Sequence, residues 1–310
     1  LNAAKKAGKK SFIYTYIIAT PMKIKPECVP CLLNRVLYET NLVAPERGIE
    51  VMARCCNVLS NELKKPDRVS SEVATKVHGE AYRIIGNQDP YRELKRAANA
   101  SAVEMVPEIE EKLKNCKDAL SFLMLAAIAG NTLDFGIRGA LSEVTTLKTK
   151  FWDMIAEGFG VDDTKKIISY IPNGNILYFT DNCGEIVFDK LLIQELRKLH
   201  PERITLVVKG KPILSDATLE DALELKMDEV VDDIITTNGF AVGLNFRDMG
   251  AALTSKLKDA TFVISKGMAN YEALSETSIK PIAYLLKAKC RPVAESIGAK
   301  AGDNVARIVE

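Results

Sequence analysis

Residues 175–180, Asn-Ile-Leu-Tyr-Phe-Thr, form an apolar run that ends abruptly in Asp181-Asn182-Cys183-Gly184-Glu185. Beyond that turn, apolar residues at 188, 191, 192, 196 and 199 recur at helical spacing as far as His200. A short run without polar alternation predicts a strand buried on both faces, the kind found in parallel sheets. A strand passing straight into a helix puts the intervening turn at the carboxyl edge of the sheet, where open α/β folds bind ligands. Here that turn offers a carboxylate and an amide as oxygen donors.

The same pattern recurs downstream. Residues 203–209, 229–235, 261–265 and 280–287 are strand-like, and helical segments at 189–199, 219–225 and 250–257 lie between most of them. Strands alternating with helices argue for crossover connections. Upstream, segments 32–40, 45–63, 70–85 and 119–129 have helical periodicity, and Asp89-Pro90 opens another helix because proline suits a first turn. The expected fold class is α/β. A mainly helical part, 22–165, precedes a Rossmann-like three-layer α/β/α domain, 166–310, whose mostly parallel sheet carries the site.

Composition narrows the function. A chain of 310 residues with net charge +1 and 6% aromatic residues, Trp152 being its single tryptophan, has no basic surface or stacking platform for nucleic acid. No apolar run approaches the roughly 18–20 residues of a membrane span. Seven cysteines, an odd number scattered along the chain, suit a reducing cytoplasm better than a disulfide framework. Residues 1–21 stand apart. Lys5, Lys6, Lys9 and Lys10 precede a short apolar stretch at 12–19, superficially like a secretory signal, but Ala19-Thr20-Pro21 makes a poor cleavage site. Met22 onward reads as a natural start, so 1–21 is set aside as a non-native or upstream extension.

The strand-end loops form a chemical set. The first brings Asp181, Asn182 and Glu185; the second, 209–218, brings Asp216; a later one brings Lys266 at a strand end and Asn270 at a helix start. Asp and Asn are hard oxygen ligands suited to a divalent ion such as Mg or Mn. Lysine is a point charge for phosphate. Taken singly, each aspartate is most simply a helix cap; together the loops describe a metal-and-phosphate site.

Asp181-Asn182-Cys183-Gly184-Glu185, the run Val208-Lys209-Gly210-Lys211-Pro212-Ile213-Leu214-Ser215-Asp216-Ala217-Thr218 and Ser265-Lys266-Gly267-Met268-Ala269-Asn270-Tyr271-Glu272 resemble the motifs of the damage-control metal-dependent phosphatases (domain of unknown function 89). Lys25-Pro26-Glu27-Cys28-Val29-Pro30-Cys31 and Gly130-Asn131-Thr132-Leu133-Asp134-Phe135-Gly136 resemble its stand-alone prokaryotic branch. The resemblance implies that Asp181, Asn182 and Asp216 hold a divalent metal (Mn, Co, Ni or Mg) and form the catalytic group. It implies that Lys266 grips the substrate phosphate while Asn131, Glu185 and Asn270 line the pocket. The implied activity is hydrolysis of phosphomonoesters of small metabolites: sugar phosphates, nucleotides or damaged metabolites. Two departures from the family pattern, Ser215 and Asn238-Gly239-Phe240, bear on the substrate rather than the metal. The expected partner is a small phosphorylated metabolite, with no nucleic acid and no membrane; a homo-oligomer stays open.

Other motifs carry less. Cys28-x-x-Cys31 has the spacing of half a zinc site or a redox pair, with reduced thiols at a helix start as the simplest reading and a cluster with Cys183 as an alternative. His78 and His200 fall near expected helix ends, where imidazole caps carbonyls. There is no G-x-x-x-x-G-K-[ST], and no G-x-G-x-x-G follows a strand. Rival readings are an S-adenosylmethionine-dependent carboxyl methyltransferase, weakened by the lack of a glycine-rich first loop, and a non-catalytic phosphometabolite-binding protein.

Overall fold

Strand β2 (Asn175–Phe179) sits inside the sheet, and all its residues after Asn175 are buried. Its side chains alternate between the two faces. Ile176 and Tyr178 pack into one apolar layer, Leu177 and Phe179 into the other. The computed structural model describes residues 22–66, 68–133, 144–275 and 277–310. The segment 1–21, residues 134–136 of the Gly130 motif and the Gly136-Ile137-Arg138-Gly139 stretch lie outside the described residues.

Among the described residues the other strands are β1 (Val161–Asp162), β3 (Arg203–Val208), β4 (Asp233–Thr236), β5 (Phe262–Lys266), β6 (Ile282–Lys287) and β7 (Asn304–Val309). Their order across the sheet is β1-β7-β6-β5-β2-β3-β4. Strands β4, β3, β2, β5 and β6 pair in parallel, whereas β7 runs antiparallel to β6. From β2 the chain adds β3 and β4 on one side, then crosses to add β5 and β6 on the other. The order therefore reverses between β2 and β5, and the crevice at their carboxyl ends is the switch point at which such sheets bind ligands.

The helices are α1 (Cys28–Val43), α2 (Gly48–Leu63), α3 (Ser70–Ile85), α4 (Arg92–Lys114), α5 (Ala119–Ala129), α6 (Val144–Glu157), α7 (Thr164–Ser169), α8 (Glu185–Arg197), α9 (Leu219–Glu224), α10 (Ala251–Asp259), α11 (Met268–Leu274) and α12 (Arg291–Ile297). Helix α5 is apolar all round and buried from 123 to 129. It shares a core with Ile109 of α4, Phe151 of α6, Phe188 of α8 and Ile204 of β3. Each large apolar side chain fully buried there contributes roughly 1.5–3 kcal/mol. The opposite layer packs Tyr271, Leu274 and Val293 against β5 and β6. Helices α1–α3 form a third cluster around Val36, Val51, Cys55 and Val77. The later helices of the amino-terminal half thus belong to the α/β/α layers, while α1–α3 form a bundle of their own.

That bundle reaches the carboxyl edge of the sheet. Leu214 N donates to Tyr82 Oη at 3.0 Å, and Val242 N donates to Thr75 Oγ1 at 3.0 Å. Both loops that follow β3 and β4 are therefore tied to α3.

Three details differ from the sequence reading. The strand expected at 229–235 starts at Asp233, because Lys226 is left-handed (φ 53°) and Met227–Glu229 forms a 3-10 turn. Strands β1 and β7 were not anticipated; one is two residues long and the other lies beyond the last expected strand. His78 does not cap a helix end. It is buried within α3, with Nδ1 2.9 Å from Oε1 of the equally buried Glu39 in α1.

Candidate active site

Backbone pairing joins the turn after β2 to the loop after β3. Asn182 and Asp216 form an antiparallel bridge, Cys183 N donates to Ser215 O at 2.8 Å, and Ala217 N donates to Asp181 O at 2.8 Å. Asp181, Asn182 and Asp216 are therefore held side by side, all buried. Ser215 Oγ donates to Asn182 Oδ1 at 2.8 Å and fixes the orientation of that amide.

Asn131 and Glu185 complete the group. Asn131 Nδ2 donates to Asp181 Oδ2 at 2.9 Å and to Glu185 Oε2 at 2.6 Å. Asn182 Nδ2 donates to the same Asp181 oxygen at 2.7 Å. Two carboxylate acceptors set the orientation of the Asn131 amide, since a flipped amide would aim its oxygen at both. Asn131 Oδ1 is then buried with no hydrogen-bond partner. Gly130 makes this approach feasible, because a Cβ there would lie 2.6 Å from Phe188 Cδ2 and 2.9 Å from Glu185 Cα.

Burial pushes the Asp181 carboxyl well above the usual range, and the charges of Glu185 and Asp216 push it further; Lys209 and Lys289 oppose them. Among the described residues no three acidic, histidine or cysteine side chains are grouped to hold a metal ion by themselves; Asp181, Asp216, the Asn182 amide oxygen and the unpartnered Asn131 oxygen are the hard oxygen donors that a divalent cation would meet here.

Lys266 lies at the end of β5 and is wholly buried. Its ammonium donates to Glu185 Oε1 at 2.5 Å, Asp189 Oδ1 at 2.8 Å and Ala127 O at 3.1 Å. An ammonium has three donors, so all are engaged, and a direct grip on phosphate would require exchanging one of them. Burial alone would lower the Lys266 pKa, but Asp189 and Glu185 outweigh it and hold the group charged. Burial raises both carboxyls, with Lys266 opposing. Tyr178 Oη donates to Asp189 Oδ1 at 2.7 Å and completes this layer beneath the crevice.

Asn270 clamps strand ends: its Nδ2 donates to Thr180 O at 2.8 Å and to Lys266 O at 2.9 Å. Gly267 (φ +77°) lies against Asp181, whose Oδ2 would be 2.0 Å from a Cβ at that position.

Residues 24–305 match the damage-control phosphatase ARMT1-like domain. The chain belongs to the damage-control phosphatase family. It is similar to a damage-control phosphatase of Archaeoglobus fulgidus, with 37% identity over 294 residues that cover 93% of this chain and 100% of the relative. It is also similar to a damage-control phosphatase of Pyrococcus horikoshii, at 29% identity over 91% of this chain and 96% of the relative. A crystal structure of a DUF89 family protein from Pyrococcus horikoshii superposes with a TM-score of 0.81 and 26% identity, covering 93% of this chain and 99% of that one. Among the described residues no helix is long and apolar enough to cross a membrane.

Several groups around the candidate site were not singled out from the sequence. Asn99 of α4 accepts from Gly184 N through Oδ1 at 2.6 Å and so pins the turn that carries Asp181 and Asn182. One helical turn earlier, buried Lys95 lies 2.9 Å from Asp221 Oδ2 and 3.2 Å from Asp89 Oδ2. A Lys and an Asn four apart on one helix face resemble an ordinary solvated stripe, so the sequence alone gave little signal. Lys209 donates to Gly243 O at 2.6 Å and lies 3.2 Å from Asp216 Oδ2. Lys289 Nζ donates to Asn131 O at 3.3 Å.

The cysteines part company. Cys183 is buried beside Asp221 and Lys95, whereas the electrostatic neighbours of Cys290 include Glu272, Cys28 and Cys31. The third thiol near Cys28 and Cys31 is thus Cys290, contributed by the amino end of α12, and not Cys183. All seven cysteines are free.

Proposed function

We propose that this member of the family is a phosphatase that hydrolyses phosphomonoesters of small metabolites (sugar phosphates, nucleotides or damaged metabolites). We assign Asp181, Asn182 and Asp216 as holders of a divalent metal, Mn, Co, Ni or Mg. The observation that carries the reading is the backbone bridge joining Asn182 to Asp216 at the switch point of the sheet, which gathers an acid-rich oxygen donor set. The damage-control phosphatase names of the relatives agree with it.

When bound, a divalent ion would supply positive charge to the phosphoryl oxygens and acidify a water. The chain's own groups divide the remaining work. Asn131 and Asn182 restrain the Asp181 carboxyl, which stands ready to accept the proton of the attacking water. Lys266 holds Glu185 in place, and Glu185 anchors Asn131. Burial of these groups keeps bulk water from weakening their electrostatics. Free thiols accord with a cytoplasmic location. Family membership lends no support to the methyltransferase or binding-protein readings.

The test is phosphate release from a panel of sugar phosphates and nucleotides. Chelator-stripped protein would be assayed with Mn, Co, Ni or Mg restored one at a time. Release that returns with metal is expected; silence with every metal and substrate would overturn the proposal.

A further inference from the structure

We propose that Cys28 and Cys31 form a reversible dithiol–disulfide pair that exchanges with small-molecule disulfides. The inference stands apart from the phosphatase reading.

Both cysteines lie at the start of α1, with Val29 and Pro30 between them. Residues three apart on an α-helix share a face, and the rise and turn of the helix put their Cα atoms about 5 Å apart. A disulfide spans Cα separations of about 4.4–6.8 Å, so this one can close with little movement of the backbone. Pro30 suits the first turn, where its missing N–H costs no helical hydrogen bond, and its fixed φ stiffens the link between the two sulfurs.

The two thiols differ in exposure. Cys31 is exposed and Cys28 is half-buried. Burial raises the Cys28 thiol and outweighs a backbone hydrogen bond at Lys25; the charge of Glu272 adds to the rise. Cys31 is therefore the sulfur that meets a dissolved disulfide, and Cys28 the one that resolves it. The Cys31 thiolate attacks one sulfur of the incoming disulfide, forming a mixed disulfide and expelling one thiolate. The Cys28 thiolate then attacks the Cys31 sulfur, closing the Cys28–Cys31 bond and expelling the second. The protons given up by the two cysteines pass to the two expelled thiolates. The pair is thereby oxidised by two electrons and the incoming disulfide reduced by two. Transient disulfides of this kind are the ones a reducing compartment tolerates.

Cys290 is the nearby alternative partner. Its electrostatic neighbours include Cys28 and Cys31, and an ion pair between Glu27 and Arg291 joins the starts of α1 and α12. Among the described residues these thiols are not grouped to hold a metal ion. A bond from Cys290, the N-cap of α12, would tie two helices together, whereas the Cys28–Cys31 bond closes within one turn of α1.

The experiment incubates the reduced full-length protein with oxidised glutathione, blocks the remaining thiols after denaturation and maps the peptides by mass spectrometry. Wild type should lose two of its seven free thiols to a Cys28–Cys31 disulfide and regain both in reduced glutathione. Cys28→Ser should stop at a mixed disulfide of glutathione on Cys31, and Cys290→Ser should behave as wild type. A Cys28–Cys290 bond in the wild type overturns the assignment. So does a mixed disulfide that persists on Cys31 in the wild type, or a failure of Cys31 to react at all.

Discussion

The Lys266 ammonium lies 2.5 Å from Glu185 Oε1 in a site closed to solvent. With Asp189 on its other side, it forms a buried triad beneath the candidate metal site. Removing one member of such a group leaves the others buried without compensation. Lys266→Met should therefore destabilise the protein by about 3–5 kcal/mol. Urea unfolding measures this directly, and a change under about 1 kcal/mol would show that the triad contributes little.

Gly267 has a positive φ and lies against Asp181. In Gly267→Ala the new Cβ meets the Asp181 carboxylate, and the backbone strain adds about 1–3 kcal/mol. Manganese affinity should fall by about 10-fold or more as Asp181 is displaced. Titration calorimetry reads the effect; wild-type affinity in a folded variant would contradict the placement of Asp181.

Asn99 offers the acceptor for Gly184 N. Asn99→Ala leaves that buried donor unsatisfied, at a cost of about 1–3 kcal/mol. Because the bond fixes the turn proposed to hold the metal, metal affinity should fall as well. Asn304→Ala, which removes a buried amide bonded to Met154 O and Gly158 O, serves as the comparison. It should lower stability and leave metal affinity alone. Equal effects of the two substitutions on metal affinity would remove Asn99 from the positioning role.

The pH dependence of stability should carry the mark of Asp221. Burial would raise its pKa, but Lys95 and hydrogen bonds from Thr218 lower it below the ordinary 3.8. Between the folded and unfolded values the unfolded state binds more protons, so stability rises with pH there. The Asp221 contribution is present above about pH 3.8 and is lost as pH falls through the lowered value. Asp89, on the same ammonium, has the opposite sign because burial outweighs Lys95 and raises its pKa. Asp221→Asn isolates the first effect: the acid limb of urea stability below about pH 4 should flatten relative to wild type. An identical acid limb would contradict it.

Much of this architecture was legible in the sequence for physical reasons. The 175–180 run needed no alternation because β2 is covered on both faces, and its abrupt end in Asp181 fixed the carboxyl edge. The motif residues Asp181, Asn182, Asp216, Glu185, Asn131 and Asn270 do gather around one crevice. What escaped was set by tertiary context. Strand β1 is too short for a period to show, and β7 is an antiparallel addition beyond β6, between it and the edge strand β1. Lys266 has the motif position of a phosphate lysine, yet it is buried against Asp189, which lies one helical turn beyond Glu185 on α8 and was not singled out. Lys95 and Asn99 sit on a helix whose charge pattern resembles a solvated face, and only packing against α8 and the 181–185 turn reveals them.

The most direct measurement is a metal titration followed by phosphate release, run on chelator-stripped wild type, Asp181→Ala and Asp216→Ala, each checked for folding by circular dichroism. The expected result is metal-restored release in the wild type, with neither metal binding nor turnover in the two folded variants. Wild-type rates and metal affinity in both variants would contradict the assignment of Asp181, Asn182 and Asp216 as the metal centre.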